Sequence, residues 1–262
     1  VIPSPLLGDP AAPGLRGLNF PARLLATLFL LTVSAGLAAG EWNVLASHSG
    51  ADGRPGLSME DLRRVYCGRP GWTLLASKVD GGSMEKHVPV PSERKALVDW
   101  ARGGARLEEF DAARKVLDLR CVRCHSPGGE KEESPFAGSR EAGAEHALVK
   151  EYARPDRGMT PAARATTTHA HLFGFSVLLV LLGALFLGTA ARPRTKALAI
   201  ALPFAGVALD VGSWWLTLLS PAFLHTLVLG GAMVGAGIAI LVLVPLREMW
   251  GPVPRDAASP GL

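Results

Sequence analysis

Four long apolar runs constrain this chain more than any other feature. They are Leu24 to about Ala39, about His171 to Ala190, Ala197 to Leu219, and Phe223 to Leu246. A helix needs roughly 20 apolar residues to cross the hydrocarbon core of a bilayer. The last three runs reach that length, and the first comes close. Almost all the charge lies outside them, mostly before about Thr168. That asymmetry predicts a polar domain joined to a membrane domain rather than one globule.

Basic residues give the runs a direction. Arg16 and Arg23 precede the first, Arg192, Arg194 and Lys196 link the second to the third, and Arg247 follows the fourth. The link between the third and fourth, Leu219 to Ala222, has no charge. The positive-inside rule then places both termini and the 192–196 link in the cytoplasm, and the polar region outside. The expected organisation is a cytoplasmic start (1–23), a membrane segment (24–40), an outer domain (41–168), a three-helix membrane domain (169–250) and a cytoplasmic tail (251–262). The first run has a basic start and small residues near Ala35–Gly40, as a cleaved signal peptide would. It lacks a clean A-x-A cleavage site, which favours an uncleaved anchor.

The net charge is +4, with no lysine-rich arm and no interleaving of aromatic and basic residues, which sets nucleic-acid binding aside. Three cysteines, Cys67, Cys121 and Cys124, give no disulfide framework. Two of them fall in Cys121-Val122-Arg123-Cys124-His125, a C-x-x-C-H sequence, the attachment signature of c-type haem. Two thiols about one helical turn apart reach the two vinyl groups on one porphyrin edge, and the adjacent imidazole becomes the proximal iron ligand. A zinc site or a redox dithiol explains the pair of cysteines less well, because neither needs the histidine and haem is attached outside the cytoplasm. Cys67 is left as a lone thiol, expected to pack as a small apolar side chain.

Upstream, Phe110, Ala113, Leu117 and Cys121 recur at helical spacing and predict one apolar stripe against the haem. Over roughly Glu93 to Met159 the chain resembles the small single-haem cytochrome c domains of bacteria, on Phe110, Leu117, Cys121, Cys124, His125 and Ser126. Glu93–Ala105 is similar to the tryptophan-containing helix and Gly-Ala turn of some such domains. Arg114 stands where that family prefers an aliphatic residue, which implies looser packing. The resemblance implies an all-α fold, a small cytochrome c-like domain (haem core about 93–160) with one transmembrane helix before it and three after it. It also implies one covalent haem c in the periplasm of a bacterium, on a multi-pass inner-membrane protein. Met159, in a Pro/Gly-containing loop, is the expected distal ligand, with His146 and His169 as alternatives.

Four polar residues mark the membrane part: His169, His171, Asp210 and His225. An aspartate in a membrane helix is costly and faces a partner or a water-filled cavity. His171 and His225 are the one candidate pair for a haem b. With Asp210 they are also a candidate quinol site, and the plainest alternative is an Asp210 neutralised by a histidine, Ser213 or Thr217. Trp214 and Trp215 read as an interfacial aromatic belt. Gly231 and Gly235 form a G-x-x-x-G with Gly237 nearby, serving internal packing or another subunit.

The stretch from Glu41 to Val90 is glycine-rich and weakly periodic. It predicts one short helix over Ser58–Gly68, with a capping box in which Asp61 stands for the usual Glu. His48 and His87 read as solvated surface residues. No nucleophile–base pair argues for catalysis, so the expected function is electron transfer between a membrane donor and redox partner proteins within a membrane complex. The alternatives are a quinol-oxidising subunit of a respiratory or photosynthetic complex, and a haem-based redox or ligand sensor. Lipid is the other partner.

Overall fold

The computed structural model describes residues 14–130 and 141–252. Among these residues the chain is all-α, with no β-strand and one isolated bridge between Thr73 and Pro155. In chain order the helices are α1 (Phe20–His48), α2 (Met59–Cys67), α3 (Leu74–Val79), α4 (Pro91–Arg102), α5 (Phe110–Arg120), α6 (Val122–His125), α7 (Ala142–Lys150), α8 (Pro161–Leu187), α9 (Pro193–Leu216) and α10 (Leu224–Trp250). They form two compact units. One comprises Val1–Val44 with Pro161–Leu262, the other Leu45–Thr160.

The first unit holds the four helices long and apolar enough to cross a membrane, one before and three after the second unit in the chain. Each runs past its apolar core. α8 starts at Pro161, well before the apolar run, because a proline suits a first helical turn and nothing between Ala162 and His171 breaks a helix. Hydropathy marks where lipid contact is favourable, not where backbone hydrogen bonding ends.

Small residues set how closely α9 and α10 pack. A methyl group on Gly206 would lie 2.7 Å from the Val234 nitrogen, and one on Gly230 would lie 2.5 Å from the Asp210 nitrogen. One on Gly237 would lie 2.6 Å from Pro203 Cδ. Gly231 and Gly235, the expected contact pair, have open space at the same position. Each residue turns a helix by about 100°, so Gly230 and Gly237 face α9 while Gly231 looks away. The apolar filling between the helices is Leu179, Leu182 and Phe186 from α8, Val207 and Val211 from α9, and Ile238 and Leu241 from α10. At the other end of the bundle Glu248 accepts the amides of Leu15 (2.8 Å) and Ala190 (2.9 Å). Arg23 donates to the Met249 carbonyl at 3.1 Å and the Trp250 indole to Thr27 at 3.0 Å, fastening the start of α1.

In the second unit the Ser58–Asp61 capping box forms. Asp61 N donates to Ser58 Oγ (3.0 Å) and Ser58 N to Asp61 Oδ2 (3.1 Å). Asp61 also accepts the amides of Gly50 and Asp52, so a 1 % exposed carboxylate organises the loop before α2. The core joins α3, α4, α5 and α7 around Leu97, Trp100, Phe110, Leu117 and Val149. The predicted stripe of α5 is there: Phe110, Ala113 and Leu117 are all buried. α4 ends in a tight turn in which Ala105 takes φ +50°. Its amide donates to the Trp100 carbonyl (3.0 Å), and the Trp100 indole donates to the Arg106 carbonyl (2.9 Å).

Candidate functional site

α5 leads into α6 without leaving helical geometry at the C-x-x-C-H sequence. Cys121 N donates to the Leu117 carbonyl (2.8 Å), and the amides of Cys124 (3.1 Å) and His125 (2.8 Å) both donate to the Cys121 carbonyl. Residues three apart on such a turn share a side, so Cys121 and Cys124 are paired along one edge with His125 next in line. Both cysteines are free thiols and half-buried. Cys121 packs against the core cluster. Burial, then Cys124 and Glu145, push its thiol up to about 11, so it is protonated at neutral pH. Cys124 lies within hydrogen-bonding reach of Glu130 at 3.7 Å.

Charged neighbours brace this turn. Arg120 makes a two-pronged pair with Glu93 (2.8 and 3.0 Å), tying the end of α5 to α4. Arg114 meets Glu145 at 2.9 Å, and Glu145 is fully buried. Arg114 therefore does not loosen the helix; it supplies the counter-charge for a carboxylate on α7.

Among the described residues no three His, Cys, Asp or Glu side chains gather as metal ligands. Two protonated-capable thiols on one turn, followed by an imidazole and backed by an apolar core, fit a covalently held tetrapyrrole. The three candidates for the distal position lie in different surroundings. Met159 donates its amide to the Val65 carbonyl (2.8 Å) and lines a cavity beside α2 and α3 that includes none of residues 121–125. His146 is buried in the core, with Nε2 2.8 Å from the Ala105 carbonyl and its ring edge-on to Phe110 and Trp100. His169 is exposed on α8, its ring 4.7 Å from that of Phe173. His48 lines the same cavity as Met159 rather than standing in solvent; His87 is exposed as expected.

In the membrane unit Trp214 is the meeting point. Its indole donates to Asp210 Oδ1 at 3.3 Å, and its ring sits edge-on to His171 at 4.9 Å. His171 Nδ1 is 2.9 Å from the Thr167 carbonyl. Asp210 thus takes tryptophan as its partner, not Ser213 or Thr217. Ser213 bonds Leu209 and Thr226, and Thr217 bonds the Trp214 carbonyl. His225, the other half of the candidate haem b pair, is exposed on α10. Trp215 is the more exposed tryptophan and donates to Thr168 at 3.0 Å.

Sequence reasoning missed Arg164. It is fully buried, and its guanidinium donates to the Trp214 carbonyl and to Thr217 Oγ1 (2.9 Å). A cation there satisfies carbonyls left open by the end of α9 and complements that helix terminus. The signal is an arginine two residues before a threonine-rich lead-in to an apolar run. Replacing Arg164 by Met is expected to destabilise the bundle by roughly 1.5–3 kcal/mol, the usual worth of hydrogen bonds from a charged donor; the Trp214 carbonyl keeps its bond from Thr217. Denaturation of the detergent-solubilised chain in mixed micelles would measure it, and Arg164→Lys should recover only part of the loss, lacking the planar fork.

Fold and composition define an all-α, multi-pass membrane protein. Residues 151–256, which include α8, α9 and α10, match a family described as a transmembrane helical domain. No curated protein and no solved structure matches the chain.

Proposed function

We propose that the chain is a membrane-bound, single-haem c-type cytochrome that transfers electrons on the outer face of a bacterial inner membrane, its haem domain in the periplasm. The observation that carries this reading is the helical turn with Cys121 and Cys124 on one side and His125 next to them, set against an apolar core. Bound haem supplies reversible one-electron chemistry. The protein's own residues do the rest. Cys121 and Cys124 would hold the group through thioether bonds. His125 is the proximal iron ligand. The Phe110–Leu117 stripe shields one side from water. Met159, the expected distal donor, docks in the cavity beside α2 and α3, so ligation requires its loop to move to the haem; His146 commits Nε2 to the Ala105 carbonyl inside the core. A thioether there raises the reduction potential relative to a second imidazole.

The test is expression in a host that matures c-type cytochromes, followed by a pyridine haemochrome assay and haem staining after denaturing electrophoresis. One covalent haem per chain is expected, with a low-spin ferrous spectrum insensitive to carbon monoxide. A chain that binds no covalent haem under these conditions sinks the reading. High-spin haem that takes up carbon monoxide would favour a sensor instead.

One observation favours a second reading, a quinol-oxidising subunit. The Trp214 indole joins Asp210 to His171, a carboxylate and an imidazole suited to accepting quinol protons. Asp210→Asn should then abolish quinol-dependent haem reduction. Wild-type rates in that variant would count against it.

A further inference from the structure

We propose that the Leu45–Thr160 unit carries a binding cleft for a phosphate-type oxyanion, separate from the haem-attachment turn. The cleft is a cavity of about 340 Å³ lined by the last turn of α1, by α2 and α3, and by the loops at 81–83 and 156–159. Its cations are Arg64, Arg69 and Lys78; its anions are Asp61 and Asp156. Three cations face two carboxylates, so the lining is left with an excess of positive charge, and backbone amides fix the carboxylates in place. Asp61 accepts from Gly50, Asp52 and Ser58, and Asp156 from Arg69 N (3.3 Å) and Gly158 N (3.0 Å).

The cations lack carboxylate partners inside the cleft. Arg69 lies flat on the Trp72 ring, its guanidinium carbon 3.3 Å from the ring centre, and donates to the Asp80 carbonyl at 2.6 Å. Arg64 reaches the Ala51 carbonyl and Glu60. Lys78 is exposed and makes no ion pair or hydrogen bond among the described residues. Burial and the nearby charges of Arg64 and Arg102 press the pKa of Arg69 down, against the pull of Asp80 and Asp156. This is positive charge crowded into a half-buried site, a strain that an incoming anion relieves. Ser77, on the same wall, has a buried hydroxyl without a hydrogen-bond partner among the described residues. A planar, stacked guanidinium beside a mobile ammonium suits tetrahedral phosphate oxygens. Free phosphate compounds and phospholipid headgroups share that chemistry.

The test uses the full chain in phosphatidylcholine nanodiscs and equilibrium dialysis against labelled inorganic phosphate. Saturable binding of one phosphate per chain is expected, tighter than about 1 mM. Arg69→Gln and Lys78→Gln should each weaken it roughly tenfold, as loss of a charge-assisted hydrogen bond would. Lys78 is on the surface, so its variant keeps the test informative if Arg69→Gln disturbs the fold. Nanodiscs of phosphatidylglycerol separate the two sources. Loss of phosphate binding there identifies a lipid headgroup as occupant, and unchanged binding identifies a free anion. Absence of saturable binding in phosphatidylcholine, or the same affinity in the Lys78→Gln and Arg69→Gln variants, overturns the proposal.

Discussion

A chain with alanine at both Cys121 and Cys124 is expected to reach the membrane and carry no haem that survives denaturing electrophoresis. The effect is all-or-none because no other cysteine stands near the motif in sequence; Cys67 ends α2. It should also be chemical rather than structural. Cys121 is only half-buried at the rim of the core, and the helical bonds around it run through main-chain atoms that alanine retains. The single variants separate the two thiols. Each should keep one thioether, and the pyridine haemochrome band should shift toward that of a haem with one intact vinyl group. Helicity near that of the parent chain, by circular dichroism, would show that the loss is not unfolding. If the double variant still bears covalent haem, attachment at these residues is wrong.

The second large effect concerns the core behind that turn. Trp100→Ala should destabilise the Leu45–Thr160 unit by about 3–5 kcal/mol, the usual range for removing a buried aromatic side chain. Trp100 is 4 % exposed, its ring centre 5.0 Å from that of Phe110 and 5.9 Å from that of His146. Its indole also holds the Arg106 carbonyl, which fixes the turn whose Ala105 carbonyl meets His146. Trp100→Phe keeps most of the packing and loses one hydrogen bond, while the Arg106 carbonyl still accepts from Glu109, so about 0.5–1.5 kcal/mol is expected. Pulse proteolysis of the full chain across a urea series reads both, because cleavage between residues 45 and 160 reports opening of that unit. Equal midpoints for the alanine variant and the parent would refute this account of the core.

The elements legible in the sequence are those whose signal is local. The four membrane helices declare themselves by unbroken apolar content, α5 by its spacing, α2 by its capping box, and the cysteine turn by five adjacent residues. What was not legible depends on partners distant in the chain. Nothing in the residues around Glu145 and His146 marks them for the core. They are buried because Arg114 and the Ala105 carbonyl, 31 and 41 residues away, receive them. Which glycines face α9 depends on helix rotation, and the G-x-x-x-G spacing pointed to the neighbouring pair. Met159 was chosen by its place downstream of the motif, whereas its setting follows from Gly158. A methyl group there would come within 2.6 Å of the Tyr66 carbonyl carbon, so the loop docks on the end of α2.

The close approach of α9 and α10 bears on how the protein enters the bilayer. α9 is the least apolar of the four spans, with a mean hydropathy of 1.6 against 2.6 for α10, and it carries Asp210 and Pro203. An acidic residue at a helix centre opposes insertion by about 2.5–3.5 kcal/mol, and Asp210, three-quarters of the way along α9, meets a smaller share of that penalty. Only residues 217–223 separate the two helices, and their glycine faces fit backbone to backbone. The two are therefore suited to partition as one hairpin, with the stronger span carrying in the weaker and the aspartate already facing α10 when it leaves the translocation machinery.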